Sequence, residues 1–455
     1  MSDDETFEAT DSGDSLVTRL TVNGILPCGA CVGTDGRMAL HGVSLSSLGD
    51  TPLYVYDVDT IHHQLLSLRR GLEGIADYSL HYACKASLCI KLAQLLRRLD
   101  MHFDAVSGGE ISILLSAGVT PDRMSLHGNA KSNSELATCV SLGITVNIDS
   151  EYELERLVLI ASSSSSTKKT ITPVFIRVIP SVDAHTHASI ATGGATSKFG
   201  VSPCVAQSMA RRIAEGHSDT LRFMGYHAHC GSQIFTPEDH EAQLDVMLDL
   251  VQSSPAKVHA LNLGGGFGVR YVVPETPDRV TLEEYMRRMA TRFLSGCASR
   301  GISPPPHLVF EPGRCIVARA GVTLYSVVGT KRDGREWIVD GGMGDNLRVA
   351  LYGARYTVLC EDMRRPHNTA TDVVGRFCES GDVVGRDLLL PKRSKVGDRV
   401  MVCTTGAYHH AMNTCYNAVP RPGVVAVASD APPEVWVRPE TYEDLLRRDV
   451  TAQLT

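Results

Sequence analysis

The chain has 455 residues, 43% of them apolar and 21% charged, and 44 Lys and Arg against 51 Asp and Glu give a formal charge of −7. That is a globular composition with material for two or three domains, and its mild acidity argues against a nucleic-acid partner, which usually selects a basic surplus. No apolar run nears the roughly 20 residues of a bilayer span, so no membrane role is expected.

In chain order, residues 1–15 read as a disordered acidic tail. Asp3, Asp4, Glu5, Glu8, Asp11 and Asp14 precede the first cation, Arg19. That is the reverse of a secretory leader and points to a cytoplasmic protein. Residues 16–50 contain a strand-like fragment, Leu16–Val22, and are expected to join a β domain further along, as is Leu53–Tyr56. Only one CxxC pair occurs among thirteen cysteines, Cys28/Cys31, with no second pair to complete a metal site. The cysteines therefore read as reduced thiols, and no metal is expected.

From residue 78 eight short apolar runs alternate with helical patterns: Tyr78–Lys85, His102–Val106, Met124–His127, Ile144–Ile148, Pro173–Ile179, Arg222–His229, Ala260–Leu263 and Leu308–Glu311. The clearest helical stripe holds Leu88, Leu92, Leu95, Leu96 and Leu99. Strands without polar alternation, separated by helices, imply a parallel sheet. Eight repeats favour an α/β fold with a TIM-like (β/α)8 barrel over residues 51–320, with a doubly wound sheet as the alternative. After residue 320, runs such as Val322–Val328, Glu336–Val339 and Gly423–Val427 are broken by Gly, Pro and Asp. They predict a C-terminal all-β domain, sandwich- or barrel-like, over 321–455 that also takes the N-terminal strands.

In such a barrel, chemistry belongs at the C-terminal ends of strands. The first run ends at Lys85, an ammonium after largely apolar residues. Desolvated, it could act as an amine that forms a Schiff base; otherwise it is a lysine held by a carboxylate. The sixth run ends in His227-Ala-His-Cys-Gly-Ser232. Two histidines at this spacing could ligate a metal, but an imidazole lying flat on a bound ring fits better, with Ser232 available to a phosphate. The seventh ends in Gly264, Gly265 and Gly266, whose backbone N–H groups can cradle an anion. It is neither a P-loop nor a dinucleotide fingerprint. The eighth adds Glu311 and the forked guanidinium of Arg314. Amine, phosphate cradle, stacking imidazole and carboxylate together fit pyridoxal 5′-phosphate, with the carboxylate on the pyridinium nitrogen.

Nine motifs carry a family resemblance: Tyr82-Ala-Cys-Lys-Ala86, Phe103-Asp-Ala-Val-Ser-Gly-Gly-Glu110, His127-Gly-Asn-Ala-Lys-Ser132, Lys198-Phe-Gly200, His227-Ala-His-Cys-Gly-Ser-Gln233, Leu263-Gly-Gly-Gly266, Glu311-Pro-Gly-Arg314, Cys378-Glu-Ser-Gly-Asp382 and Gly406-Ala-Tyr408. From about residue 50 to 430 the chain resembles the diaminopimelate decarboxylases, within the pyridoxal-phosphate fold that includes ornithine decarboxylase and alanine racemase. The resemblance implies that Lys85 is the Schiff-base lysine, His229 the ring-stacking histidine and Glu311 the pyridinium partner. It implies cofactor or phosphate contacts from Ser232, Gly264, Gly265, Gly266, Arg314 and Tyr408, with Asp104, Glu110 and His127 in support. Arg314 and Tyr408 would also face substrate. Cys378 matches a catalytic cysteine that reaches the active site of the partner in a homodimer.

The reaction implied is loss of CO2 from meso-2,6-diaminopimelate to give L-lysine, the last step of lysine biosynthesis. Arg348, Tyr352 and Glu379 match the grip on the distal amino-acid end of that substrate. A related decarboxylase of ornithine, lysine or a carrier-bound amino acid is the nearest alternative, and a non-catalytic pyridoxal-phosphate-binding barrel the alternative of another class. His409-His410 and Thr414-Cys415 depart from the family pattern beside Tyr408.

Overall fold

A computed structural model describes residues 12–163, 171–180, 197–273 and 280–450. The chain divides into two compact units. One comprises Leu65–Gly268 and the following described residues up to Arg314. The other comprises the described residues up to Gln64, a short stretch from Val269, and everything described from Cys315 on.

The first unit is a closed barrel of eight parallel strands in chain order: Tyr78–Ala83, His102–Ala105, Met124–Leu126, Thr145–Ile148, Thr172–Arg177, Leu221–His227, Ala260–Asn262 and His307–Phe310. Closure pairs Leu308 with Tyr78 and Phe310 with Leu80. Each strand coincides with one of the eight apolar runs. The intervening helices start where the sequence caps them. Ser107 accepts from the Glu110 N–H, Ser132 and Glu135 form a reciprocal capping box, and Pro203 opens Pro203–Gly216. In Ile90–Arg98 the buried stripe is Leu92, Ala93, Leu95 and Leu96.

The second unit is built on a nine-stranded sheet. Its spine is Gly321–Lys331, whose first half pairs with Leu53–Asp57 and whose second half pairs with Glu336–Val339, with Arg399–Val402 along its other edge. Leu53–Asp57 also pairs in parallel with Gly423–Ala428. This strand therefore belongs to the β unit, as expected for Leu53–Tyr56, so the barrel does not begin at residue 51. A core of Leu20, Ile25, Met38, Val55, Leu324, Met401 and Val427 fills the unit beside a small sheet of Ala30–Val32, Met38–Leu40 and Val43–Ser44.

Two N-terminal expectations are corrected. Leu16–Val22 is not a strand but part of a helix, Gly13–Val22, capped by Ser12. A strand would bury Leu16, Leu20 and Val22 on one face; instead Leu16 and Leu20 pack four residues apart and Val22 is 82% exposed. Gly13, Asp14 and Ser15 are thus helical rather than part of a disordered tail, while residues 1–11 lie outside the described residues. Among the described residues no helix is long and apolar enough to cross a membrane.

Candidate active site

In the barrel unit, the first strand ends in a single 3-10 turn, Cys84–Ala86, that carries Lys85. Cys84 and Ala86 are buried and Lys85 is exposed, so the turn presents the ammonium outward from an apolar base. The Tyr82 hydroxyl donates to the Ser87 carbonyl (2.7 Å) and closes the turn. Of the two readings open from the sequence, a desolvated amine or a lysine held by a carboxylate, the exposure of the side chain sits better with the second. Lys85 acts electrostatically on Asp104, Glu110 and His229.

Glu311 follows the eighth strand and is buried among donors. Asn262 Nδ2 donates to its Oε1 (2.7 Å) and His227 Nε2 lies 3.2 Å from its Oε2, with His127 Nε2 3.4 Å from Oε1. Burial pushes its pKa up, but the polar contacts around it, the His227 hydrogen bond among them, outweigh that and hold the carboxyl well below its usual range. Burial, with the Glu311 charge second, pushes Asp104 the other way, well above the usual range. His127 and His229 are driven well below the ordinary imidazole value by burial, so both rings are neutral at physiological pH. His127, His227 and Glu311 also bring potential metal-ligating atoms within 4.8 Å of one another. Sequence reading paired His227 with His229; the structure instead turns His227 onto Glu311. Asn262 was missed, as was Arg177 at the end of the fifth strand, which acts electrostatically on His127 and His229. Both sit where a barrel places working residues, and that was the signal available.

The glycine loop lies against these groups. Gly264 and Gly266 have φ of +68° and +111°, and a Cβ on Gly265 would lie 2.0 Å from the Glu311 carbonyl oxygen. Side chains cannot enter this turn, so glycine is required. Gly264 N–H donates to Asn262 Oδ1 (2.9 Å) and Gly265 N–H to His229 Nδ1 (3.2 Å). Arg314, itself buried, donates through Nη2 to Ser232 Oγ (3.0 Å), which leaves the serine hydroxyl hydrogen to be given elsewhere.

In the β unit, Arg348 sits on the short helix Leu347–Tyr352. Its guanidinium carbon lies 5.7, 5.6 and 5.5 Å from the ring centroids of Tyr271, Tyr352 and Tyr408, and its Nε donates to the Tyr356 hydroxyl (2.9 Å). The structure thus brings Arg348, Tyr352 and Tyr408 together. Tyr408 has φ +63°, a conformation that costs a non-glycine residue on the order of 1 kcal/mol or more and persists only where its surroundings impose it. His409, one of the departures, is buried with Nδ1 2.8 Å from the Ala407 carbonyl and packs edge-on against Tyr356 (5.1 Å). It backs the tyrosine that holds Arg348. Cys378 and Glu379 are exposed on another loop. That loop is anchored by the Cys378 N–H on Asn417 Oδ1 (2.9 Å) and by Asp382, which accepts from the Phe377 and Met343 N–H groups (2.7 and 2.6 Å).

Residues 58–318 match the family model "Pyridoxal-dependent decarboxylase, pyridoxal binding domain". A diaminopimelate decarboxylase of Actinosynnema pretiosum is 38% identical over 422 residues, covering 91% of this chain and 93% of that protein. Another, from Staphylococcus aureus, is 34% identical over 426 residues, covering 91% and 98%. Among solved structures, a Helicobacter pylori diaminopimelate decarboxylase complexed with L-lysine is similar with 30% identity and a TM-score of 0.79, covering 89% of this chain and 98% of that one. The chain belongs to the pyridoxal-dependent decarboxylases.

Pyridoxal phosphate is the cofactor of this family, and the donor set of the barrel fits it. A carboxylate held ionised inside the barrel suits a pyridinium nitrogen. The buried Arg314 guanidinium and the free hydroxyl hydrogen of Ser232 suit a phosphate dianion, beside a loop that admits no side chain. Lys85 supplies an exposed primary amine for an aldehyde.

Proposed function

We propose that this decarboxylase acts on meso-2,6-diaminopimelate, releasing CO2 and L-lysine. The observation that carries the substrate is Arg348, a guanidinium held by four tyrosines in a decarboxylase. A diamine-forming enzyme needs to hold only a distal ammonium, which a guanidinium would repel. A substrate with a second carboxylate matches it, with Tyr352 beside Arg348 and Glu379 as the partner of the distal ammonium. The similarity to proteins named diaminopimelate decarboxylase supports the same reading.

On this reading Lys85 Nζ would hold the cofactor through its aldehyde, Glu311 would be the partner of its ring nitrogen, and His229 would contact its ring. Ser232, the Gly264–Gly266 loop through its Gly266 N–H, and Arg314 would hold the phosphate, with Tyr408 in support. Pyridoxal phosphate, when bound, supplies an electron-accepting ring that stabilises the negative charge left as CO2 departs. Asp104 and Glu110 lie within electrostatic reach of Lys85, and Lys85 Nζ or Cys378 Sγ would return a proton to the reacting carbon. The exposed but anchored Phe377–Asp382 loop supports a homodimer in which Cys378 and Glu379 serve the partner's site. All thirteen cysteines are free, which supports a reducing, cytoplasmic setting.

The test is CO2 release by purified protein supplied with pyridoxal phosphate and, separately, meso-diaminopimelate, L-lysine or L-ornithine. Turnover is expected with the first alone, and a Lys85→Ala variant should be inactive with all three. Turnover of lysine or ornithine in preference to diaminopimelate would overturn the substrate assignment.

A further inference from the structure

Helix Glu238–Gln252 reaches the glycine loop with two fully buried polar side chains that the reaction above does not use, His240 and Gln243. His240 Nε2 lies 2.9 Å from the Gly265 carbonyl oxygen and its Nδ1 2.6 Å from the Tyr285 hydroxyl. Its ring stacks on Phe267 at 5.3 Å and 15°. Gln243 Nε2 donates to the Leu263 carbonyl (2.9 Å).

These contacts fix the imidazole tautomer. A carbonyl can only accept, so Nε2 carries the hydrogen. Burial pushes the His240 pKa down to about 4, so the ring is neutral and Nδ1 is a bare acceptor. The Tyr285 hydroxyl faces it, and burial pushes that phenol far up, so it remains a donor. The hydroxyl also lies 3.0 Å from the Thr236 carbonyl, but two bare acceptors at 2.6 Å would repel, which places the hydrogen toward His240.

The Gly265 carbonyl and the Gly266 N–H share one rigid peptide plane and point in opposite directions. A hydrogen bond that pulls the carbonyl onto His240 therefore turns the Gly266 N–H away from the helix. Glycine backbone has little intrinsic preference to hold such an orientation, so an external pin decides it. We propose that His240, with its tautomer set by Tyr285, is a positioning residue that aims the Gly266 N–H at the phosphate of the cofactor. This rests on the reading that Gly264–Gly266 cradles that phosphate.

The experiment is a titration of cofactor-free protein with pyridoxal 5′-phosphate and, in parallel, with pyridoxal, which lacks the phosphate. His240→Phe keeps a flat ring on Phe267 and removes both hydrogen bonds; Tyr285→Phe removes only the donor that sets the tautomer. His240→Phe should weaken pyridoxal phosphate about five- to tenfold and leave pyridoxal within about twofold of wild type. Tyr285→Phe should shift the same ratio in the same direction by less, and it carries the test if His240→Phe does not fold. Equal weakening of both ligands would mean a structural role only and overturn the inference. So would a wild-type preference for the phosphorylated ligand that neither variant changes. Wild-type protein with no preference for the phosphorylated ligand would overturn the cradle reading itself.

Discussion

Arg348 is a guanidinium whose Nε–H is committed to Tyr356 while tyrosine rings cover its sides. Only its terminal nitrogens are left to offer, which suits two-pronged recognition of a carboxylate. Lysine keeps the charge but cannot both hold Tyr356 and present a fork. Arg348→Lys is expected to lower kcat/KM for meso-diaminopimelate about ten- to hundredfold, the cost of one charge-assisted contact, while pyridoxal phosphate affinity stays unchanged. Steady-state CO2 release together with cofactor titration checks both halves. At this scale the sequence was most legible where a residue type is rare at its position, as with a lysine closing an apolar run or a carboxylate before Pro-Gly-Arg. It was least legible for His240. A histidine on the buried stripe of an amphipathic helix reads as core, and nothing local shows that its ring reaches a loop 25 positions away. Lys85 was left open between two readings, because apolar neighbours along the chain do not settle whether the turn that follows them buries the side chain or leaves it exposed.

All eight barrel strands were readable because each is a short, largely buried apolar run set between helical patterns. Gly13–Val22 misled because Leu16 and Leu20 satisfy a period of two as well as a period of four. What joins neighbouring elements was less visible. Lys131, in the loop after the third barrel strand, is buried with all three ammonium hydrogens used. It donates to the Gly128 carbonyl (2.6 Å), to the Asn147 carbonyl on the fourth strand (2.6 Å) and to Glu153 Oε1 on helix Glu151–Ser163 (2.7 Å). One cation therefore ties loop, strand and helix, and the pair is worth most when neither partner is removed alone. Lys131→Met would strand the Glu153 carboxylate and two carbonyls in the interior. It is expected to cost about 3–5 kcal/mol, read as a lower urea midpoint with an unchanged slope. A shift below about 1 kcal/mol would mean that Glu153 finds water or another donor.

Across the whole molecule, buried neutral histidines are distributed unequally between the two units, and acid stability should follow that distribution. Burial pushes His81 down to about 3 and His240 to about 4, and drives His127 and His229 well below the ordinary value. All four lie in the barrel unit. Unfolded, each titrates near 6.5. The folded pKa is depressed, so the unfolded chain binds more protons below pH 6.5, and the stability these rings contribute is lost as pH falls from about 6.5 toward 4. Linkage sets that loss at about 2 kcal/mol by pH 5 for each fully depressed ring. Asp104, Glu110 and Glu153, whose pKa values burial raises, oppose the trend in the same unit, but His102 and His259 are lowered too, so three carboxyls stand against six histidines. In the β unit the balance is closer. His410 is pushed down to about 4 and His367 is lowered, while burial raises Asp345 to about 7 and also raises Glu361 and Asp382. A carboxyl with a raised folded pKa loses its contribution as pH rises, so these groups offset the histidines. Both tryptophans, Trp337 and Trp436, lie in the β unit, whereas most of the helices surround the barrel. Urea unfolding between pH 7 and 5 should therefore show a larger fall in midpoint by far-UV circular dichroism than by tryptophan fluorescence. Equal falls by the two probes, or a midpoint that rises on acidification, would refute this division of the buried charge.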